Sequence, residues 1–329
     1  MGRGWAVLGV ALALAGCKAG DAADPYVQSR TPADLGARFY PPEGWAWGLV
    51  QVGDGPAQRY GVSSPATTVR AQVLILPDYG ESAETWFETA ADLNAHGYNV
   101  WVLDGAGQGG SGRLTGPRDL GYVAAFAPDE AAVRAMVSTV IRPTPTAPLF
   151  ILGQGVGGLV AARAAEDGAA PAGVILSSPA LDGRGGGATT ALEMMVFGHR
   201  RVAGARAWRR DGPDDFAAGL THDPWRGRAS RLWQTANPDL RMGGPSIAWI
   251  SAFNAAADQA REGLKAIDRP VIVLEGDAAK GCRTLPRCEA RAFPGGGAKL
   301  ALERDPVRSA WLEAVDGFIR AQLASPTAG

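Results

Sequence analysis

From residue 71 onward the chain alternates short unbroken apolar runs with longer stretches of helical periodicity. The runs at 71–77 (AQVLILP), 98–104 (YNVWVLD), 149–152 (LFIL), 172–178 (AGVILSS) and 270–275 (PVIVLE) read as buried strands, and 289–293 as a short last one. Between them, 81–96 carries Trp86, Phe87 and Leu93 on one helical face, with Gly97 just past its end. The stretch 128–141 starts with Pro128, where a missing N–H costs nothing. A helix opens by Leu159, and 306–323 is amphipathic. Apolar strands spaced by helices imply a mostly parallel sheet covered on both faces, an α/β class. The rhythm breaks between about 181 and 263. That stretch opens with glycines at 183–187 and holds Trp208, Trp225, Trp233 and Trp249 among many arginines. An insertion at that point is expected to form a helical cap over the C-terminal ends of the strands.

The N-terminus follows a different logic. Arg3 precedes a 12-residue apolar run, 5–16, too short to span a bilayer and the right length for the core of a signal peptide. The run ends in Leu14-Ala15-Gly16-Cys17, which resembles a bacterial lipobox, in which the cysteine takes a diacylglycerol and becomes the mature N-terminus. The alternative is an ordinary secretory signal beside a chance cysteine. Residues 17–39 then read as lipid anchor and polar tether, 40–323 as the folded domain and 324–329 as a tail. Lys18 after the cysteine favours the outer membrane of a Gram-negative envelope, with the domain facing the periplasm.

Composition narrows the chemistry. With 329 residues, 46% hydrophobic, the chain can bury a sizeable core. A formal net charge of -1 gives no reason to expect nucleic acid as a partner. Three histidines (His96, His199, His222) make a His-based metal site improbable, and no metal or cofactor is expected. Cys282 and Cys288 are a leftover pair that reads as a disulfide in an exported protein, with free buried thiols as the alternative.

The informative motif is the strand-turn-helix at 149–165, whose turn is Gly153-Gln154-Gly155-Val156-Gly157. It is the setting of a G-x-S-x-G nucleophile elbow with glycine in the serine's place. Gly153, Gly155 and Gly158 also match G-x-G-x-x-G, but a dinucleotide fold carries that turn on its first strand with an acid about 20 residues on, and neither holds here. Together with LPDYGESAETW (76–86), LDGAGQGGSGR (103–113), NPDLRMGGPSIAW (237–249) and FPGGGAKLALERDPVR (293–308), the turn resembles the α/β-hydrolases of the monoacylglycerol lipase, lysophospholipase and serine aminopeptidase group. Ala106 stands where that group usually has arginine.

The resemblance implies an α/β-hydrolase fold with a helical cap, and it places the catalytic positions. The nucleophile falls on Gly155, the histidine on Ala298, and the acid on Ala279 or, with a slid loop, Asp277. The oxyanion donors would be the backbone N–H groups of Tyr79 and Val156. Asp78 replaces the usual glycine beside them, and its charge would oppose a developing oxyanion. Removing one triad member typically costs on the order of 10⁴ to 10⁶ in rate. The expectation is a lipid-anchored pseudo-hydrolase that binds an acyl or amphipathic ligand in its cap crevice. The alternative is a weak esterase built on displaced residues: Ser177, Ser178 and Asp182 at a strand end, with His199 or His222 overhead. His96 and Ser111 read as structural, and His222 as a helix-start residue.

Overall fold

The computed structural model describes residues 24–183 and 191–324. The expected signal peptide, the lipidation site Cys17, residues 184–190 and the tail from 325 lie outside the described residues.

Eight strands form one sheet in the order β1-β2-β4-β3-β5-β6-β7-β8. They are β1 (Ala46–Val50), β2 (Gln58–Ser63), β3 (Ala71–Leu76), β4 (Tyr98–Leu103), β5 (Leu149–Gln154), β6 (Gly173–Ser177), β7 (Val271–Glu275) and β8 (Cys288–Ala292). From β4 to β8 every pairing is parallel; β1–β2 and β2–β4 are antiparallel. The hairpin β1–β2 has no counterpart in the apolar pattern, because glycines interrupt both strands and β1 is half exposed at the sheet edge.

Successive residues of a strand face opposite sides of a sheet, so a strand buried on both faces must be apolar throughout. Leu74 and Leu76 of β3 accordingly join one core with α2 (Ala127–Ala135), α3 (Val156–Glu166) and α6 (Ile247–Gly263). Val73 and Ile75 join the other, against α1 (Phe87–Ala95) and α7 (Asp305–Ala324), where Trp311, Val315 and Ile319 are buried. The helix expected over 128–141 stops at Ala135 and continues as a wider π-turn, Met136–Ile141.

Of the stretch 181–263, α4 (Ala191–Phe197) and α5 (Arg226–Ala236) lie outside the two cores, whereas α6 packs into the first beside α3. The polar segment expected to be a tether is part of the body from Asp24 onward. Leu35 and Phe39 are buried in a third cluster with Phe87, Trp233 and Leu240. The Asn237 side chain accepts from Tyr26 Oη (2.8 Å) and Arg30 N (2.7 Å) and donates to Arg30 O (2.9 Å). Hydrogen bonds to a buried asparagine hold this segment, so its polar composition concealed its docking. Cys282 and Cys288 are joined by a disulfide with their Cα atoms 5.7 Å apart.

Candidate functional site: an elbow filled by a carboxylate

The apolar strand β5 ends at Gln154 and α3 begins at Val156, so a single residue must reverse the chain. That residue, Gly155, has φ 53° and ψ -116°, a conformation strained for any residue with a Cβ and open to glycine. Close approach fixes the next position too: a Cβ on Gly157 would stand 2.0 Å from Leu76 O. The turn keeps the geometry of a nucleophile elbow with no nucleophile on it.

What occupies the vacant place is Asp78. A Cβ built on Gly155 would lie 2.2 Å from both Cγ and Oδ1 of Asp78. Oδ1 accepts from Tyr79 N at 2.8 Å and from Val156 N at 2.8 Å. These are the two amides assigned above as oxyanion donors, so one carboxylate oxygen sits where a substrate's oxyanion would.

Asp78 was expected only as a repulsive charge near these amides; instead it accepts from both. Two further charged groups act on this carboxylate, Glu81 and Lys299, and a third, Asp215, pairs with Lys299. Glu81 Oε2 accepts from Asp78 N (3.0 Å) and from Trp86 Nε1 (3.1 Å). Lys299 Nζ lies 2.9 Å from Glu81 Oε1 and 3.0 Å from Asp215 Oδ2, an acid contributed by the segment preceding α5. Burial, then the charge of Glu81, pushes the Asp78 pKa up, while Lys299 and the two amides pull it back. Burial works against the charge of Lys299. Asp215, Glu81 and Asp78 more than reverse this, so its pKa is raised and it stays an ammonium.

The turns to which the resemblance assigns the histidine and the acid lie beside the elbow. Ala298 O accepts from Gln154 Nε2 at 2.8 Å, which ties the histidine turn to the elbow. Asp277 lies on the acid turn and accepts from Gly295 N at 2.8 Å through Oδ1. Both acid candidates, Asp277 and Ala279, are exposed. Asp182 pairs with Lys280 and with Arg283 (2.7 Å), and hydrogen bonds from these two hold its carboxyl well below the usual range.

None of the described serines or cysteines hydrogen-bonds a histidine. His96 Nδ1 meets Asp316 (3.1 Å) and His199 Nδ1 meets Thr115 Oγ1 (3.0 Å). His222 Nδ1 lies 2.9 Å from the buried Glu303 Oε1. The helix-start role belongs instead to Asp223, whose Oδ1 accepts from Trp225 N and Arg226 N. Ser111 closes a turn, accepting from Arg59 N and donating to Asp104 O. Ser178 has φ 42° and a buried Oγ without a partner, while the Ser177 hydroxyl is taken by Trp311 Nε1. A cavity of about 450 Å³ is lined by Ser178, His222, Asp277, Lys280 and Ala298, at the C-terminal ends of β6 and β7.

The profile of a family described as "Serine aminopeptidase, S33" matches residues 67–291. The chain belongs to this family. Lysophospholipase L2 of Escherichia coli K12 is 26% identical over 280 residues, covering 75% of this chain and 79% of its own. A probable lysophospholipase L2 of Haemophilus influenzae is 23% identical over 281 residues, covering 78% and 86%. A soluble variant of monoglyceride lipase from Saccharomyces cerevisiae superposes with a TM-score of 0.62 at 20% identity, covering 92% of this chain and 99% of that one. A lipase in its open form reaches 0.65 at 14% identity, covering 85% and 100%. At such identities the solved structures establish the fold, an α/β-hydrolase, and the S33 profile establishes the family.

In this S33 chain, sequence reasoning missed Glu81, Lys299, Asp215 and the His222–Glu303 pair. Lys299 and Glu303 both stand in the 293–308 motif, yet nothing in their spacing says that one meets the cap's Asp215 and the other His222. A further buried group supports the loop from below. Arg59 of β2 forms a two-pronged pair with Glu84 (2.8 Å each) and donates from Nε to Asp104 Oδ2 (2.8 Å). Among the described residues, no cluster of three His, Cys, Asp or Glu side chains is suited to hold a metal.

Proposed function

We propose that this protein is a catalytically silent S33-type α/β-hydrolase, lipid-anchored through Cys17 in the bacterial envelope, which acts by binding. One observation carries the silent part: the Asp78 carboxylate accepts both oxyanion-hole amides and stands where a nucleophile's side chain would begin. One oxyanion donor is typically worth roughly 10²–10³ in rate, and here both are engaged by the protein's own carboxyl oxygen. The absent hydroxyl at Gly155 and absent imidazole at Ala298 act in the same direction. The binding site proposed is the cavity of about 450 Å³ beside Ala298, within the usual size range for small ligands and at the strand ends where α/β sheets take them. An acyl or amphipathic molecule fits the relatives' printed activities.

The competing reading is hydrolysis by displaced residues. It has one observation on its side: Ser178, whose hydroxyl is unpartnered, lines that cavity together with His222, which in turn pairs with Glu303. The two readings separate on purified protein offered monoacylglycerols, lysophospholipids and short-chain esters. The silent reading expects turnover no faster than the buffer blank. Turnover abolished by His222→Ala or Ser178→Ala would overturn it. Gly155→Ser with Ala298→His is expected to remain silent, because a serine Cβ at 155 would stand 2.2 Å from Asp78 Cγ and the two side chains cannot both take their places, so activity in that double variant would also count against the role given to Asp78.

A further inference from the structure

Four of the ten strongly exposed large hydrophobic side chains among the described residues lie on one short helix. On α4, Leu192, Met195, Val196 and Phe197 are 67%, 75%, 56% and 39% exposed. Leu192, Met195 and Val196 are spaced i, i+3, i+4 and share one face. Glu193 is the helix's single acid. Arginines follow at once: Arg200, exposed, lies over the Phe197 ring at 4.8 Å, and Arg206, Arg209 and Arg210 are exposed beyond it. Apolar side chains beside arginines match the two layers of a lipid surface, acyl chains below and anionic headgroups above. Seven residues are far too few to cross a bilayer, so such a helix lies in the interface.

The course of the chain says which surface covers it. The C-terminal end of α4 is fixed to the loop at 115–122: His199 meets Thr115 and stacks on Tyr122 at 4.5 Å, and Arg201 pairs with Asp119 at 2.8 Å. The first described residues are held at Gly110 and by the same loop. Arg118 donates to Asp24 O (3.4 Å), and Tyr26 N donates to Gly110 O (2.7 Å). Adjacent residues, Arg118 and Asp119, therefore hold the start of the body and the chain just past α4. Cys17 precedes Asp24 by seven residues, which reach roughly 25 Å at most. A lipid on Cys17 thus brings this side of the molecule, α4 included, to the membrane.

We propose that the apolar face of α4 and its arginine rim dock on the membrane that carries the Cys17 lipid. This rests on the lipid anchor proposed above, and the two are tested separately. In the lipidated protein Cys17 is modified and Cys282 and Cys288 are paired, so Met195→Cys supplies the only free thiol. That variant is labelled with an environment-sensitive dye and reconstituted on phosphatidylethanolamine–phosphatidylglycerol vesicles. The dye is expected to shift its emission to the blue and to be quenched by nitroxides on the lipid chains. The same dye at Arg291→Cys, exposed on the far edge strand β8, is expected to stay aqueous. Equal, water-like emission at both sites in protein that floats with the vesicles overturns the docking. Protein that does not float overturns the anchor, and the docking with it.

Discussion

Gly155 and Asp78 make a single unit, and a double-mutant cycle tests it. Gly155→Ala adds only a Cβ. The backbone at φ 53° and ψ -116° is strained for alanine, at about 1–3 kcal/mol. The Cβ also lands 2.2 Å from Asp78 Cγ, well inside contact distance, so the carboxylate must move. Overpacking of that kind costs about 1–3 kcal/mol, and moving Asp78 weakens its hydrogen bonds with two amides. Gly155→Ala should therefore destabilise the protein by about 2–6 kcal/mol in urea or thermal unfolding. With Asp78→Gly already in place the steric part disappears and only the strain of about 1–3 kcal/mol remains. The predicted coupling is a substitution at 155 that costs at least about 1 kcal/mol less in the Asp78→Gly background. Equal costs in both backgrounds, or a cost near zero in the parent, would refute the assignment of Asp78 to the nucleophile's place.

Other substitutions read separate parts of the structure. Burial raises the Asp129 pKa to about 6, although Ala106 N and Gln58 Nε2 donate to its Oδ1. The stability held by its neutral form is full below the ordinary value near 3.8 and is lost as pH rises through about 6. Asp129→Asn should thus be more stable than the parent at pH 8, by at most about 3 kcal/mol, with the difference vanishing near pH 4 in thermal scans. Lys299→Met leaves Asp78, Glu81 and Asp215 without their shared cation. It should cost about 3–5 kcal/mol at neutral pH and less in acid, and a loss independent of pH would count against the cluster. The Cys282–Cys288 bond closes a six-residue separation, so replacing both cysteines by serine should cost about 2 kcal/mol in chemical unfolding on the chain-entropy argument.

The architecture was legible where the physics is local. Strands buried on both faces must be apolar throughout, so β3 to β7 announced themselves, and the Gly153–Gly157 turn between strand and helix marked the elbow. The glycine at 155 and the alanine at 298, on which the proposed silence rests, are readable without coordinates. The hairpin β1–β2 was not legible, because half-exposed edge strands broken by glycine carry no apolar run. Nor was the docking of residues 24–39, since hydrogen bonds to Asn237 hold a segment whose composition is polar.

The sequence by itself determined that a hydrolase-type strand-turn-helix is present and that glycine stands at its turn, because both depend on residue identity and local apolar pattern. Only the tertiary structure decided what fills the frame. Asp78 and Gly155 are 77 residues apart, and Lys299 reaches Glu81 and Asp215 from two other segments. Their contact depends on parallel strands and a folded-back cap, which no local pattern encodes.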